Sequence, residues 1–428
     1  MQRVSRVAFP CLVASVEYLK PALTRPQRRH LRRRKIKKRS RCELRDMEDL
    51  LLSSIRSNEF SCIAENAPPA EICARIESFV KDFLRRLVSS EPSISSLPLV
   101  SRTTKNARIQ EDCFGKGSSI FLMHATFERK FTTRGGVKIF LRVWKLLEIC
   151  YRLLISGKRA TQREIYYRLV GDPSCCVETP QQVNDAIQDA VALLKCSRHS
   201  LGIYASGKGL LVGRLVIQGP DGRRIDCTKL GPNHFPISGD INYIERLEFL
   251  SDARYIFVVE KETVFQRLAR DRFYHSVPCI IITGKGYPDL ATRVILHRIH
   301  RTFPTLSIFA LVDWNPSGLA ILCTYKFGSI RMGLETPHHV CDVKWLGLRH
   351  EDLQYISSEA MLDLKGRDKV LAKSLLVSKM LQNNEKLKNE LIQMIQNGKR
   401  VEIEALHANG ERFLGNFIAE KVVQHDYI

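Results

Sequence analysis

The sequence has no apolar run that approaches the ~18 residues of a membrane-spanning helix, which excludes an integral membrane protein of the helical kind. It has no C-x-x-C pair. Its 13 cysteines are an odd number scattered from Cys11 to Cys341, with Cys175 and Cys176 adjacent. That pattern speaks against a disulfide framework or a zinc ribbon and for a reducing compartment. There is no H-E-x-x-H, and His338-His339 are neighbours rather than a ligand pair one helical turn apart. There is no G-x-x-x-x-G-K-[ST] phosphate loop. Acid is scarce: 45 Asp and Glu stand against 67 Lys and Arg, a net charge of +22. So basic a chain favours a polyanion as partner.

The positive charge is concentrated. Residues 1–46 carry 15 Lys or Arg and 3 Asp or Glu, a net +12 of the total. The run from Arg28 to Arg39 supplies most of it, repels itself and is expected to be disordered alone. Three readings of this leader stay open: a nuclear import signal or DNA tether, an organelle transit segment, or an over-extended gene start ahead of Met47. The other 382 residues are only mildly basic. With 428 residues, 44% of them hydrophobic, the chain can bury the cores of two or three domains of about 150 residues each.

Apolar spacing predicts helix within 47–91, where Ile72, Ile76, Phe79, Val80, Phe83 and Leu87 share a face. The Ser/Thr-rich stretch 92–131 reads as a variable linker. Val137 to Ile155 forms a long apolar helix ending at Gly157. Thr161-Gln162-Arg163-Glu164 then has the form of a capping box that opens a short helix to Leu169. Another helix, Pro180 to Cys196, is followed by Leu201–Ala205 and Leu210–Leu215 around Ser206-Gly207-Lys208-Gly209, read as a hairpin. Three helices and a hairpin are the order of a winged helix-turn-helix of the CAP-like kind, over 132–216. Such modules bind DNA or protein.

After a Gly/Pro/Asp-rich connector, 217–250, the period changes. Tyr255–Val259, Cys279–Thr283 and Ile308–Val312 read as buried strands alternating with helices, so 251–428 is expected to be an α/β domain with a parallel sheet. Its end, about 370–406, is largely helical, with Leu387, Leu391 and Ile395 as core.

Open parallel sheets gather function at the carboxyl ends of their strands. Glu260 and Asp313 stand at two such ends, and Asn315 follows two residues on. Two carboxylates there could hold a hard ion such as Mg2+, with Asn315 adding a neutral oxygen. They could equally cap the helices that follow. Lys285 lies between two glycines and could face a phosphate, as could Lys208 in its own glycine-flanked turn. On the short helix, Tyr167 lies about 200° round from Ile165, beside Arg163, while the apolar arc centres at about 70°. Tyr166 therefore packs inward and Tyr167 looks outward. A phenol of pKa ~10 needs a neighbouring cation to attack at neutral pH. Two ordinary packing tyrosines are the alternative.

These segments together resemble a family. Thr161-Gln162-Arg163-Glu164-Ile165-Tyr166-Tyr167, the run Val258 to Leu268 around Glu260-Lys261-Glu262, Thr283-Gly284-Lys285-Gly286-Tyr287-Pro288-Asp289 and Asp313-Trp314-Asn315-Pro316-Ser317-Gly318 look like the meiotic double-strand-break transesterases. That family is homologous to the A chain of topoisomerase VI, a type IIB DNA topoisomerase. Phe327-Gly328-Ser329 and Lys344-Trp345-Leu346-Gly347 look most like the second plant meiotic paralogue. The resemblance covers residue 47 onward. It implies a winged-helix domain followed by a Toprim domain, Tyr167 as nucleophile with Arg163 beside it, and Glu260 and Asp313 as metal carboxylates for Mg2+. The family has Asp-x-Asp where this chain has Asp313-Trp314-Asn315. That change removes one charge and leaves a carbonyl oxygen. The resemblance further implies double-stranded DNA as substrate, 5′-phosphotyrosyl links and a nuclear setting. It implies as partners a topoisomerase VI B-like subunit with a GHKL ATPase module or its remnant, and a second A-like chain, identical or paralogous. The alternatives are a non-cleaving assembly protein and the A-type chain of a somatic topoisomerase VI.

Overall fold

The computed structural model describes residues 63–88, 96–111, 118–130, 134–204, 207–231, 233–335 and 339–428. The basic leader, Met47, Ser206 and His338 lie outside the described residues. Among those described, no helix is long and apolar enough to cross a membrane, and all nine described cysteines are free.

Helix α1 (Pro69–Val88) buries Ile72, Ile76 and Val80. Its Phe79 and Phe83 rings lie 5.7 and 4.9 Å from Trp144 of α2 (Arg134–Ile155). Between them the expected linker is instead two antiparallel strand pairs. These are β1 (Ser96–Val100) with β4 (Thr126–Lys130), and β2 (Ala107–Glu111) with β3 (Ser118–Leu122). Buried Asn106 staples their base: its Nδ2 donates to Ser101 O (2.7 Å) and Met123 O (2.9 Å), and its Oδ1 accepts from Ala125 N. The pairing is made by backbone groups and one amide, so the Ser/Thr-rich composition conceals it.

Strand β5 (Ala160–Thr161), α3 (Gln162–Val170), α4 (Pro180–Leu194) and β6 (Ile203–Tyr204) follow, with β5 and β6 paired in parallel. The expected hairpin does not form. Strand β7 (Leu210–Gly213) turns away from β6 and pairs antiparallel with β13 (Cys279–Thr283), giving the main sheet an extra strand. The expected connector is also structured. Strands β8 (Val216–Gln218), β9 (Arg224–Asp226) and β11 (Glu248–Leu250) make a small antiparallel sheet, while β10 (Phe235–Pro236) flanks β7.

The main sheet runs β10-β7-β13-β12-β14-β15. Strands β12 (Tyr255–Val259), β13, β14 (Ser307–Leu311) and β15 (Val343–Gly347) are parallel. The side chains of β12, β13 and β14 are almost wholly buried, which is why these three read as continuous apolar runs; β15, interrupted by Lys344, does not. The register is level: Val259 lies opposite both Thr283 and Leu311. The residues that follow each strand therefore emerge along one edge. Helices α5 (Glu262–Arg270), α6 (Leu290–Thr302) and α7 (Pro316–Phe327) connect the strands. Helices α8 (Gly366–Leu376), α9 (Glu385–Asn397) and α10 (Phe413–Val423) complete the chain. On α9, Leu387, Leu391 and Met394 are buried, while Ile395 is 40% exposed and leaves the expected stripe.

The helical region meets the sheet region through a buried ion pair. Arg198 donates from its backbone N (2.9 Å) and its Nε (3.4 Å) to Glu335. The last residue, Ile428, exchanges backbone hydrogen bonds with Trp345 of β15 (2.6 and 3.0 Å) and covers that sheet edge.

Candidate active site

The level strand ends bring Glu260 and Asp313 together. Glu260 is 9% exposed and Asp313 4%. The Glu260 Oε2 accepts from Asp313 N at 2.9 Å. Its Oε1 takes no hydrogen bond among the described residues. Burial first, and then the charge of Asp313, push the Glu260 carboxyl up to about 7. Asp313 is raised by burial too, although the Ile403 N–H and the Lys261 ammonium pull against it. Neither acid is the N-cap of the helix that follows it: Lys261 and Asn315 hold those positions.

Asn315 caps α7, its Oδ1 accepting from Gly318 N at 2.8 Å and its Nδ2 donating to Asp313 Oδ2 at 3.4 Å. The loop is tight: a Cβ on Gly318 would lie 2.3 Å from Asp313 O. Glycine there lets the helix start close against the aspartate.

Three residues to which the sequence alone gives no role complete the centre. Lys261 Nζ contacts Asp313 Oδ2 (3.4 Å), Glu402 Oε2 (2.7 Å) and Glu404 Oε2. Burial opposes the ammonium charge, but the bonds to Glu402 and Glu404 and the charge of Asp313 prevail and raise its pKa. The segment that carries the two glutamates docks on the loop after β14. Trp314 and Val401 exchange backbone hydrogen bonds (3.0 and 3.1 Å), and Ile403 N donates to Asp313 Oδ1 at 2.9 Å. The signal was present in Val401-Glu402-Ile403-Glu404, an alternation with Val401 and Ile403 fully buried and both acids on the other face.

Among the described residues, no three His, Cys, Asp or Glu side chains form a ready metal cluster. The donor set is a pair of buried carboxylates side by side. It fits Mg2+, which takes one or two carboxylates and keeps several waters.

Lys208 and Lys285, 77 residues apart, meet at the rim. Lys208 Nζ donates to Lys285 O (3.4 Å), and Lys208 N donates to Asp289 Oδ2 (2.7 Å). Lys285 adopts the left-handed region at φ 53° and pairs with Glu262 Oε1 at 2.9 Å. The next residue, Gly286, donates its N–H to Glu260 O at 2.8 Å and ties this loop to the acids. Exposed Tyr287 is raised by burial of its hydroxyl end and by the Glu260 charge.

Tyr167 and Arg163 stand elsewhere, on α3. Ile165 and Leu169 bury one face of that helix. Tyr166 is half-buried and Tyr167 is 59% exposed, their rings 5.3 Å apart edge to face. Val170, on the apolar arc by helical spacing, is 43% exposed. Half of the expected capping box forms: Thr161 Oγ1 accepts from Glu164 N (3.0 Å), but Glu164 turns to Arg168 (2.6 Å) instead of back. Arg163 is exposed and takes no carboxylate among the described residues. No hydrogen bond or ring contact among the described residues joins Tyr167 to the acids.

Residues 255–422 match the family model for the Toprim domain of Spo11 and the topoisomerase 6 A chain, and residues 138–203 match the one described as type IIB DNA topoisomerase. The chain belongs to the Spo11/topoisomerase VI A family. It is 52% identical over 373 residues to "Meiotic recombination protein SPO11-2" of Oryza sativa subsp. japonica, covering 86% of this chain and 95% of that one. With the Arabidopsis thaliana protein of the same name it shares 48% over 379 residues, covering 88% and 98%. The A-type chain of DNA topoisomerase 6 from Arabidopsis thaliana is 31% identical over 358 residues, covering 82% and 80%. As a Spo11/topoisomerase VI A protein it is a topoisomerase-like DNA-cleaving transesterase of the meiotic-recombination kind, with an α/β Toprim fold built on a parallel sheet. Toprim modules of topoisomerases are in general metal-dependent.

Proposed function

We propose that this chain initiates meiotic recombination in the nucleus by cutting double-stranded DNA with Tyr167. The Tyr167 oxygen attacks a backbone phosphorus. A phosphotyrosyl bond forms at the 5′ side, the bond from phosphorus to the 3′ oxygen breaks, and that oxygen takes up a proton as a free hydroxyl. The phenol proton is lost, and Arg163 beside it favours the phenolate and can hold a phosphate oxygen. The ester energy is kept in the new bond, so cutting consumes no nucleotide. Glu260 and Asp313 are the residues that would hold Mg2+, whose charge would stabilise the scissile phosphate. Lys208 and Lys285 lie at the rim where DNA phosphates would pass.

The observation that carries this reading is the exposed Tyr167, with an unneutralised Arg163 one helical turn before it, inside the segment matched as type IIB topoisomerase. Tyr167 has no contact with the acids of its own chain among the described residues. We therefore read the complete site as shared between two A-like chains, identical or paralogous, each cutting one strand. A topoisomerase VI B-like protein is the further partner. The organisation we propose is a winged-helix module within 132–216 that ends at β6, with β5 and β6 as its small strands and β7 given over to the main sheet, and a Toprim domain with a helical extension over 251–428.

The test is capture of covalent protein–DNA complexes from meiotic tissue, wild type against Tyr167→Phe. The expected result is adducts in the wild type and none in the variant. Its thermal stability should be unchanged, because the exposed hydroxyl makes no hydrogen bond within the described chain. Equal adducts in both would remove Tyr167 from the nucleophile position. None in either, with breaks persisting, would make the chain a non-cleaving component.

A further inference from the structure

The acidic centre already contains a cation. Lys261 follows Glu260 directly and is the residue before α5, so its backbone is fixed by the same strand end that fixes the carboxylate. Its ammonium bridges two groups of acids. On one side is Asp313 Oδ2 at 3.4 Å; on the other are Glu402 at 2.7 Å and Glu404. Thr263 Oγ1 donates to the other oxygen of Glu404 at 2.5 Å and fixes that side chain. The lysine side chain is 21% exposed and the aspartate 5%, while Glu402 and Glu404 are 43% and 31% exposed. The stronger contacts thus lie toward the solvent side, and the weaker one lies toward the buried pair. Without this ammonium, Glu260, Asp313 and Glu404 would face one another with no ion-paired cation among the described residues, and Glu402 would keep only Arg400 Nη1 at 3.5 Å.

We propose that Lys261 is a positioning residue that serves as the resident cation of this centre, holding Asp313 and the 401–404 segment together until a divalent ion is bound, and then resting on Glu402 and Glu404 alone. In this arrangement Glu402 and Glu404 are the anchors that draw the ammonium off Asp313. They set how readily the carboxylate pair accepts a metal. The proposal rests on the metal role given above to Glu260 and Asp313.

The experiment is thermal denaturation of the full chain with and without Mg2+, for wild type, Lys261→Met, Lys261→Arg and Glu260→Gln, read with no DNA present. Lys261→Met should melt several degrees below wild type without metal, and Mg2+ should raise its midpoint by more than it raises that of wild type. Lys261→Arg keeps the charge and should behave as wild type. A lysine with a purely structural role would lower the midpoint equally with and without Mg2+, and a Mg2+-induced rise no larger than in wild type overturns the proposal. Should Lys261→Met fail to fold, calorimetric Mg2+ titration of Glu402→Gln/Glu404→Gln decides. With its anchors gone, the ammonium stays on Asp313 and binding should weaken about tenfold; unchanged affinity overturns the proposal. A Mg2+ response that is absent from the wild type, or that survives in Glu260→Gln, sinks the metal reading itself. A Glu260-dependent response indifferent to Lys261 sinks only this inference.

Discussion

Asn315 commits both ends of its amide within the chain: the oxygen holds the first turn of α7 and the nitrogen leans on Asp313. Replacing it by alanine removes a cap and should cost about 1 kcal/mol in urea denaturation. Replacement by aspartate keeps a capping oxygen but sets a second negative charge beside Asp313. That variant should be less stable than wild type without metal and gain more from Mg2+, measured by melting with and without the ion. Glu260 carries the pH dependence. Its carboxyl is pushed up to about 7 in the folded chain, well above the ordinary carboxylate range, by burial and by Asp313. The protonated form therefore contributes stability that is complete below about pH 4 and is lost as pH rises toward 7. Urea midpoints of the metal-free protein should fall from pH 5 to pH 8 more steeply in wild type than in Glu260→Gln. Proton and metal compete for the same oxygens, so Mg2+ affinity in calorimetry should drop below pH 7, by up to about tenfold per pH unit for one proton displaced.

At the scale of elements, what was legible is what is local. Strands β12, β13 and β14 are buried on both faces and announce themselves as apolar runs; α3 and α4 follow from helical spacing and from Thr161 and Pro180 at their starts. Glu260 and Asp313 follow from being next after such strands. What was missed depends on partners far away in sequence. The segment Ser206-Gly207-Lys208-Gly209 has the composition of a turn, yet its glycines answer to close packing. A Cβ on Gly207 would lie 2.1 Å from Ile237 O, and one on Gly209 would lie 2.1 Å from Thr292 Oγ1. No local rule reports that β7 pairs with β13 some 70 residues later. The 107–122 strand pair depends on Asn106 bonding across to Met123 and Ala125. Lys261, Glu402 and Glu404 become a group only when the 401–404 segment lies on Asp313; the alternation there marks one buried and one open face, but nothing local says that it docks on the loop after β14.

At the scale of the molecule, the helical region that carries Tyr167 and the sheet that carries the acids are joined by the buried Arg198–Glu335 pair. Arg293 lies near it, fully buried and lowered to about 10 by that burial and by the charge of Arg198. Glu335→Ala leaves both guanidinium groups without that carboxylate and should cost about 3–5 kcal/mol in chemical denaturation, far more than any exposed ion pair here. The order in which the chain is made adds a further consequence. Asp313 waits 90 residues for the backbone N–H of Ile403 that orients it. Chains fold from the N-terminus as they emerge from the ribosome. A half-made chain thus has its tyrosine and both carboxylates but no finished centre. The centre is therefore among the last parts of this chain to be completed, closed only when Val401 bridges to Trp314 and the 3-10 turn that begins at Ile403 lies over the aspartate.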